Sequence, residues 1–163
     1  MSIRLATNAD HDAVWAILEP MIRAGETYPL PRDMNREQAF GFWFSPEKEV
    51  FVWQAEESGL VLGTYFLKAN QQGGGAHICN CGYVTSQAAQ GRGIARAMCL
   101  HSLARAKERG FRGMQFNFVV SSNTRAVKLW SSLGFETLGR LPQVFAHPAL
   151  GYVDALVMFR RIL

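Results

Sequence analysis

Gln90-Gly91-Arg92-Gly93-Ile94-Ala95 joins a run of strand-forming residues to a long helical one, and the fold turns on how it is read. A strand-turn-helix junction leaves the first backbone N–H groups of the helix without acceptors, and these favour an anion. Glycine at 91 and 93 lets the backbone approach a phosphate, Ala95 keeps the first turn accessible, and Arg92 and Arg96 stand one helical turn apart. The segment reads as a pyrophosphate cradle. The alternative, for so short a motif, is a plain tight turn entering an amphipathic helix. Two other nucleotide motifs fail: no G-x-x-x-x-G-K-[ST] occurs, and Gly91-x-Gly93 lacks the third small residue of a dinucleotide fingerprint.

Working outward, residues 77–85 read as the strand before the cradle and residues 93–109 as the helix after it. Gly110 ends that helix, with Lys107 and Arg109 at its negative pole. Residues 114–120 form the next strand and 124–133 a short helix stopped by Gly134; strand returns from Phe135 and again over 152–159. Upstream, residues 3–6 read as a strand, and Asn8 or Asp10 caps a helix whose Val14, Ile17, Leu18 and Met21 follow the 3.6 period up to Gly25. A loop with Pro29 and Pro31 follows, then a capping box, Asn35 with Gln38, opens a helix through Phe44 that Pro46 stops. Residues 50–55 and 60–69 make an antiparallel hairpin around Glu57-Ser58-Gly59, and residues 71–75 turn into the strand before the cradle. The order is strand, two helices, three strands, helix, strand, helix, two strands. It implies one mixed, helix-covered sheet in a single domain over 1–163.

The bulk numbers agree. At 163 residues, with 48% hydrophobic and only 18% charged residues, the chain can build one packed core and has little left for solvated tails. A net charge of +4 suits an anionic ligand as well as nucleic acid, so charge alone does not choose. No basic stripe interleaved with aromatics and no RNP-like motif supports nucleic acid as the partner. Cys79, Cys81 and Cys99 lack metal-ligand spacing and read as buried, reduced thiols, so no metal is expected. No apolar run approaches a membrane span and no apolar leader follows Met1; the expected compartment is the cytoplasm.

A second motif lies thirty-three residues beyond the first: Asn123-x-x-Ala126-x-x-Leu129-Trp130-x-x-x-Gly134-Phe135. With Gln-x-x-Gly-x-Ala opening one helix and this pattern on the next, nearly the whole chain resembles the GNAT superfamily of N-acetyltransferases. The resemblance implies an α/β (α+β) fold with a mixed, mostly antiparallel seven-stranded sheet, about four flanking helices and a splay in the middle. It implies acetyl-CoA as co-substrate, its pyrophosphate on the backbone amides of 90–95, its pantetheine paired with the strand around Val84 and Thr85, and Asn123 hydrogen-bonded to the pantetheine arm. Homodimers are common in the family. One departure stands out, because many relatives carry a tyrosine at Trp130 that is proposed to protonate the departing thiolate. Indole donates a hydrogen bond but transfers no proton, so Trp130 is a core anchor or a wall of the CoA channel. A thiolate is a tolerable leaving group, its acid having a pKa near about 8.5, so direct attack without a protein acid is open.

The attacking amine must first lose a proton, which costs an alkyl ammonium about 4 kcal/mol at pH 7. Glu26 is the first candidate base, since in the family its loop borders the acceptor site and Glu26-Thr27-Tyr28-Pro29 combines a carboxylate, hydroxyls and a rigid proline. A plain surface carboxylate is the competing reading. His77, His101 and His147 are weaker candidates, and Asp154 reads equally as a strand-edge polar residue. Asn80, among apolar neighbours, and Asn117, between Phe116 and Phe118, each need a partner or a ligand, because an unpaired buried amide costs about 1 to 3 kcal/mol. Asn80, Asn117 and Asn123 also resemble an arrangement in fungal azetidine-carboxylate acetyltransferases, a likeness confined to the second half of the chain. It implies that Asn80 and Asn117 bind the acceptor, with Tyr83 as an apolar wall, and that the acceptor is an amino acid, a proline analogue or a drug-like amine. A mutual amide pair bracing the sheet is the alternative. At the level of function, a protein or peptide N-acetyltransferase and a CoA-binding sensor without turnover stand beside the small-amine enzyme.

Overall fold

Period-two alternation along the central strands sorts the chain into layers. The computed structural model describes residues 2–163. Its strands are β1 (Ser2–Leu5), β2 (Glu49–Gln54), β3 (Val61–Ala69), β4 (Ile78–Thr85), β5 (Gly113–Val120), β6 (Glu136–His147) and β7 (Gly151–Arg161). Its α-helices are α1 (His11–Ala24), α2 (Arg36–Trp43), α3 (Ile94–Glu108) and α4 (Thr124–Ser132). Phe51, Trp53, Tyr65, Leu67, Cys79 and Cys81 point to one face, where they pack with Met98 and Leu103 of α3 and Trp130 of α4. Val50, Val52 and Phe66 point to the other face, against Val14 and Leu18 of α1 and Trp43 of α2. A two-sided sheet with helices on both faces follows from that alternation.

The seven strands form one sheet in the order β1-β2-β3-β4-β5-β7-β6. Every pairing is antiparallel except β4 with β5, which are parallel and joined through α3. The element order read from the sequence is the one observed. Asn35 and Gln38 form the expected capping box at α2, each side-chain oxygen accepting the other's backbone N–H at 2.9 Å. All three cysteines are buried and free. No helix among the described residues is long and apolar enough to cross a membrane.

The entry to α1 differs from the expectation. Asp10 occupies the N-cap position of α1, one of the two expected, but makes no side-chain cap bond; its carboxylate reaches back, accepting the Thr7 N–H at 2.7 Å and both Arg4 guanidinium nitrogens at 2.8 Å. This side chain is almost fully buried, and it pins β1 to α1. The Arg4 hydrogen bonds hold the Asp10 carboxyl down at about 2 against the burial that opposes ionisation. A depressed folded-state pKa contributes stability above the unfolded value and loses it as pH falls. Asp10→Asn is therefore expected to destabilise by roughly 2 kcal/mol at pH 7, read as a lower melting temperature. The gap between variant and wild type should close as the pH is taken from about 4 down to about 2.

Candidate active site

β4 and β5 share only two rungs, Ile78 with Gly113 and Cys79 with Met114, and then separate. Asn80 Nδ2 spans the parting strands to the Gln115 carbonyl at 2.9 Å, one side-chain rung beyond the last backbone pair. On its other edge β4 stays paired with β3: Asn70 N–H donates to Ile78 O and Ser86 N–H to Leu62 O, each at 2.8 Å. Even-numbered β4 residues thus bond β3, while Cys81, Tyr83 and Thr85 turn their peptide groups into the gap. The pairing edge expected at Val84 and Thr85 is corrected accordingly. The Val84 backbone pairs with Thr64, and Tyr83 and Thr85 carry the open groups.

The gap is part of a cavity of about 750 Å³ that is lined at one end by the cradle and at the other by the loop after α1. Gly91 has φ 78° and Gly93 φ 77°, a left-handed conformation that side chains with a Cβ adopt at a cost. Nothing lies within 4 Å of a Cβ built on Gly93, so open space faces the turn. The first helical bond of α3 is Ala97 N–H to Gly93 O, which leaves the N–H groups of Ile94, Ala95 and Arg96 without helical acceptors. Gln90, Ala95 and Arg96 line the cavity; Arg92 does not, because the turn carries it to the exposed side. The second cation comes instead from Arg125, whose Nη1 donates to Gln90 Oε1 at 3.4 Å. Arg125 occupies a variable position of the Asn123-x-x-Ala126 motif, so only the fold reveals it. Asn123 caps α4, its Oδ1 accepting the Ala126 N–H at 3.4 Å, which keeps its NH₂ for a ligand.

Midway, Trp130 is 8% exposed and packs against Tyr83 at 5.1 Å and Phe116 at 5.2 Å while also lining the cavity. Core anchor and channel wall are one and the same. Tyr83 lines the cavity too, its hydroxyl turned away to Ser102 Oγ at 2.7 Å. At the end away from the cradle Glu26 and Tyr28 line the cavity with Met21, Phe42 and Phe66. Asn117 is not the buried amide expected. β5 loses register with β7 between Phe116 and Val119, and the bulge sets Asn117 exposed at the cavity rim. It forms no mutual pair with Asn80; it accepts from Gln115 Nε2 at 2.9 Å and donates to Asn70 Oδ1 at 2.6 Å. Asn70 and Gln115 carried no motif and were not singled out in the sequence. His101 bonds Tyr65 at 2.7 Å, His147 Nδ1 accepts the Ala149 and Leu150 N–H groups, and neither histidine nor His77 lines the cavity. Asp154 braces the edge hairpin, accepting from Arg140 and the Gln143 N–H.

The model of the acetyltransferase (GNAT) family matches residues 13–135. The chain belongs to this family. Among curated proteins it is similar to N-acetyltransferase aca1 of Schizosaccharomyces pombe, 29% identical over 153 residues, 83% of this chain and 72% of that protein. The structure of a GCN5-related N-acetyltransferase from Kribbella flavida superposes with a TM-score of 0.93 at 39% identity, covering 98% of this chain and 96% of that one. YncA from Salmonella typhimurium, an acetyltransferase solved with acetyl-CoA, shares the fold at a TM-score of 0.85 and 23% identity, over 100% of this chain and 94% of that one.

This GNAT member is thus an N-acetyltransferase, and acetyl-CoA is its acetyl donor. The residues present fit that molecule: unpaired N–H groups, two arginines and open space at the cradle match a diphosphate, and the Tyr83 N–H and the Thr85 peptide groups, which face the gap, match an amide-bearing arm. Two substitutions separate these contributions. Gly93→Val fills the open space with a β-branched side chain at φ 77° and should weaken CoA binding at least about tenfold by calorimetry. Arg125→Ala should weaken it less, and its deficit should shrink as salt rises.

Proposed function

We propose that this enzyme transfers acetyl directly from acetyl-CoA to the amine of a small metabolite: an amino acid, a proline analogue or a drug-like amine. The observation that carries this reading is the continuity of one cavity from a cationic, N–H-rich end to an end lined by Glu26, Tyr28 and apolar side chains. A thioester reaching the gap from the first end meets an amine held at the second. Among the described residues none lining the cavity is an activated nucleophile. The one thiol there, Cys81, is driven up strongly by burial and by its contact with Cys79, so it stays protonated and is unsuited to carry the acetyl group. Attack by the amine itself, with both substrates bound, is the path left.

In this scheme Glu26 takes the proton that an ammonium must lose, directly or through a water, and the apolar surround of Met21, Phe42 and Phe66 favours the neutral amine. Asn80 and Asn117 hold the acceptor's polar groups at the rim. Asn80 keeps its Oδ1 and one N–H for this task and Asn117 one N–H, Asn80 donating its other to Gln115 O and Asn117 bonding Gln115 and Asn70. The thiolate departs unaided or with a proton from water, since neither Trp130 nor the turned-away Tyr83 hydroxyl supplies one.

A CoA-release assay against amino acids, proline analogues, polyamines and peptides tests the proposal. Saturation in both acetyl-CoA and one small amine is the expected outcome; release with peptides alone, or tight CoA binding without release, would overturn it. With the best amine, Asn117→Ala should raise the amine KM about tenfold and leave the acetyl-CoA KM near wild type.

A further inference from the structure

Tyr28 reaches from the loop after α1 into the splay, where its hydroxyl donates to the Tyr83 carbonyl at 3.2 Å. That carbonyl is one of the few on β4 that face the gap rather than β3. Gly82 makes the approach feasible: a Cβ there would stand 2.8 Å from the Tyr28 hydroxyl oxygen and 2.6 Å from the Phe66 ring. The ring is held from behind by Trp43, edge-on at 6.2 Å. A phenol has one hydrogen to give and two lone pairs to offer. With the hydrogen taken by Tyr83, the group facing the cavity is a hydrogen-bond acceptor only.

That polarity selects the partner. An amine about to attack a thioester needs its lone pair free and aimed at the carbonyl carbon, so the protein can hold it only by an N–H. A donor placed here would compete for the lone pair; an acceptor leaves it untouched. We propose that Tyr28 orients the attacking amine by accepting one of its N–H hydrogens, with the Tyr83 carbonyl fixing the phenol in the accepting state. This rests on the acetyl-transfer reading above and names the group that aims the nucleophile. Burial pushes the Tyr28 phenol well up, which keeps its hydrogen in place on Tyr83 throughout the neutral range. Glu26, two residues earlier on the same loop, also accepts only, so this end of the cavity presents two acceptors to an N–H-bearing ligand.

Tyr28→Phe removes the oxygen and keeps the ring and its packing on Trp43. Using the panel amine that releases CoA fastest, this variant should raise the amine KM about tenfold. The acetyl-CoA KM and the slow hydrolysis of acetyl-CoA in the absence of amine should change several-fold less, because neither depends on aiming the amine. An amine KM unchanged in Tyr28→Phe overturns the proposal, and so does an equal rise in the acetyl-CoA KM or an equal fall in hydrolysis, either of which assigns Tyr28 to the cofactor arm or to the fold. A wild-type enzyme that acetylates no amine of the panel overturns the acetyl-transfer reading along with it; a working wild type with an indifferent Tyr28→Phe overturns this inference alone.

Discussion

Beyond Cys79 and Met114, β4 and β5 stop exchanging backbone hydrogen bonds, and everything that makes this sheet an enzyme follows from that early separation. A continuous sheet would satisfy the peptide groups of Cys81, Tyr83 and Thr85 internally; the splay leaves them unmatched within the ladder. Each must find another partner, and the structure provides for them unevenly. The Tyr83 carbonyl is met by a side chain from the far loop, while the remaining edge opens onto the cavity. An incomplete β-ladder is thus what confers affinity for an extended, amide-bearing ligand. The sheet holds together despite the gap because Asn80 bridges it once to Gln115 O and because β5 is secured on its other edge by β7.

The two faces of the sheet divide the labour. Under α3 and α4 the aromatic set Tyr83, Phe116, Trp130 and Phe135 is packed closely, with Phe116 and Phe135 stacked at 4.3 Å, and this rigid wall aligns the start of α3 with the start of α4. Both helix entrances therefore face one end of the cavity, where Arg96 and Arg125 add positive charge to the dipoles. Over α1 and α2 the packing is equally aromatic but ends in a loop rather than a helix start, and the charges there are the Glu26 carboxylate and the Lys48 ammonium, which lies over the Phe42 and Phe66 rings.

The order of elements was legible because α/β alternation, capping residues and glycine stops act locally. Asn35 with Gln38 and Gly25 announce their helix boundaries whatever the tertiary context. The cradle was legible for the same reason, since positive φ at Gly91 and Gly93 is a property of the turn itself. What escaped depends on contacts distant in sequence. Arg125 meets Gln90 only when α4 starts beside α3, and Arg92, adjacent to two cradle glycines, is turned outward by the same left-handed geometry that makes the cradle. Asn117 looked buried because Phe116 and Phe118 flank it, yet a bulge broke the alternation and brought it to the rim. The peptide parity of β4, which moves the open edge from Val84 to Tyr83 and Thr85, is set by register with β3 and has no signature in the strand's own residues.

The absence of a tyrosine at position 130 becomes intelligible in this frame. Indole at Trp130 packs tilted against Tyr83 and edge-on against Phe116 and fills the wall, a task a smaller phenol would fill less completely. Giving up an acid at that position is inexpensive, because a thiolate near its ordinary pKa leaves without assistance at neutral pH. The harder demand lies on the other substrate, which arrives protonated and freely rotating and must become neutral and aimed. The side chains suited to meet it, Glu26 and Tyr28, sit together on one loop, opposite the cofactor arm and across the gap from it. Under the proposed transfer to an amine, the acceptor side of the splay, rather than the leaving-group side, carries the greater demand on side-chain chemistry.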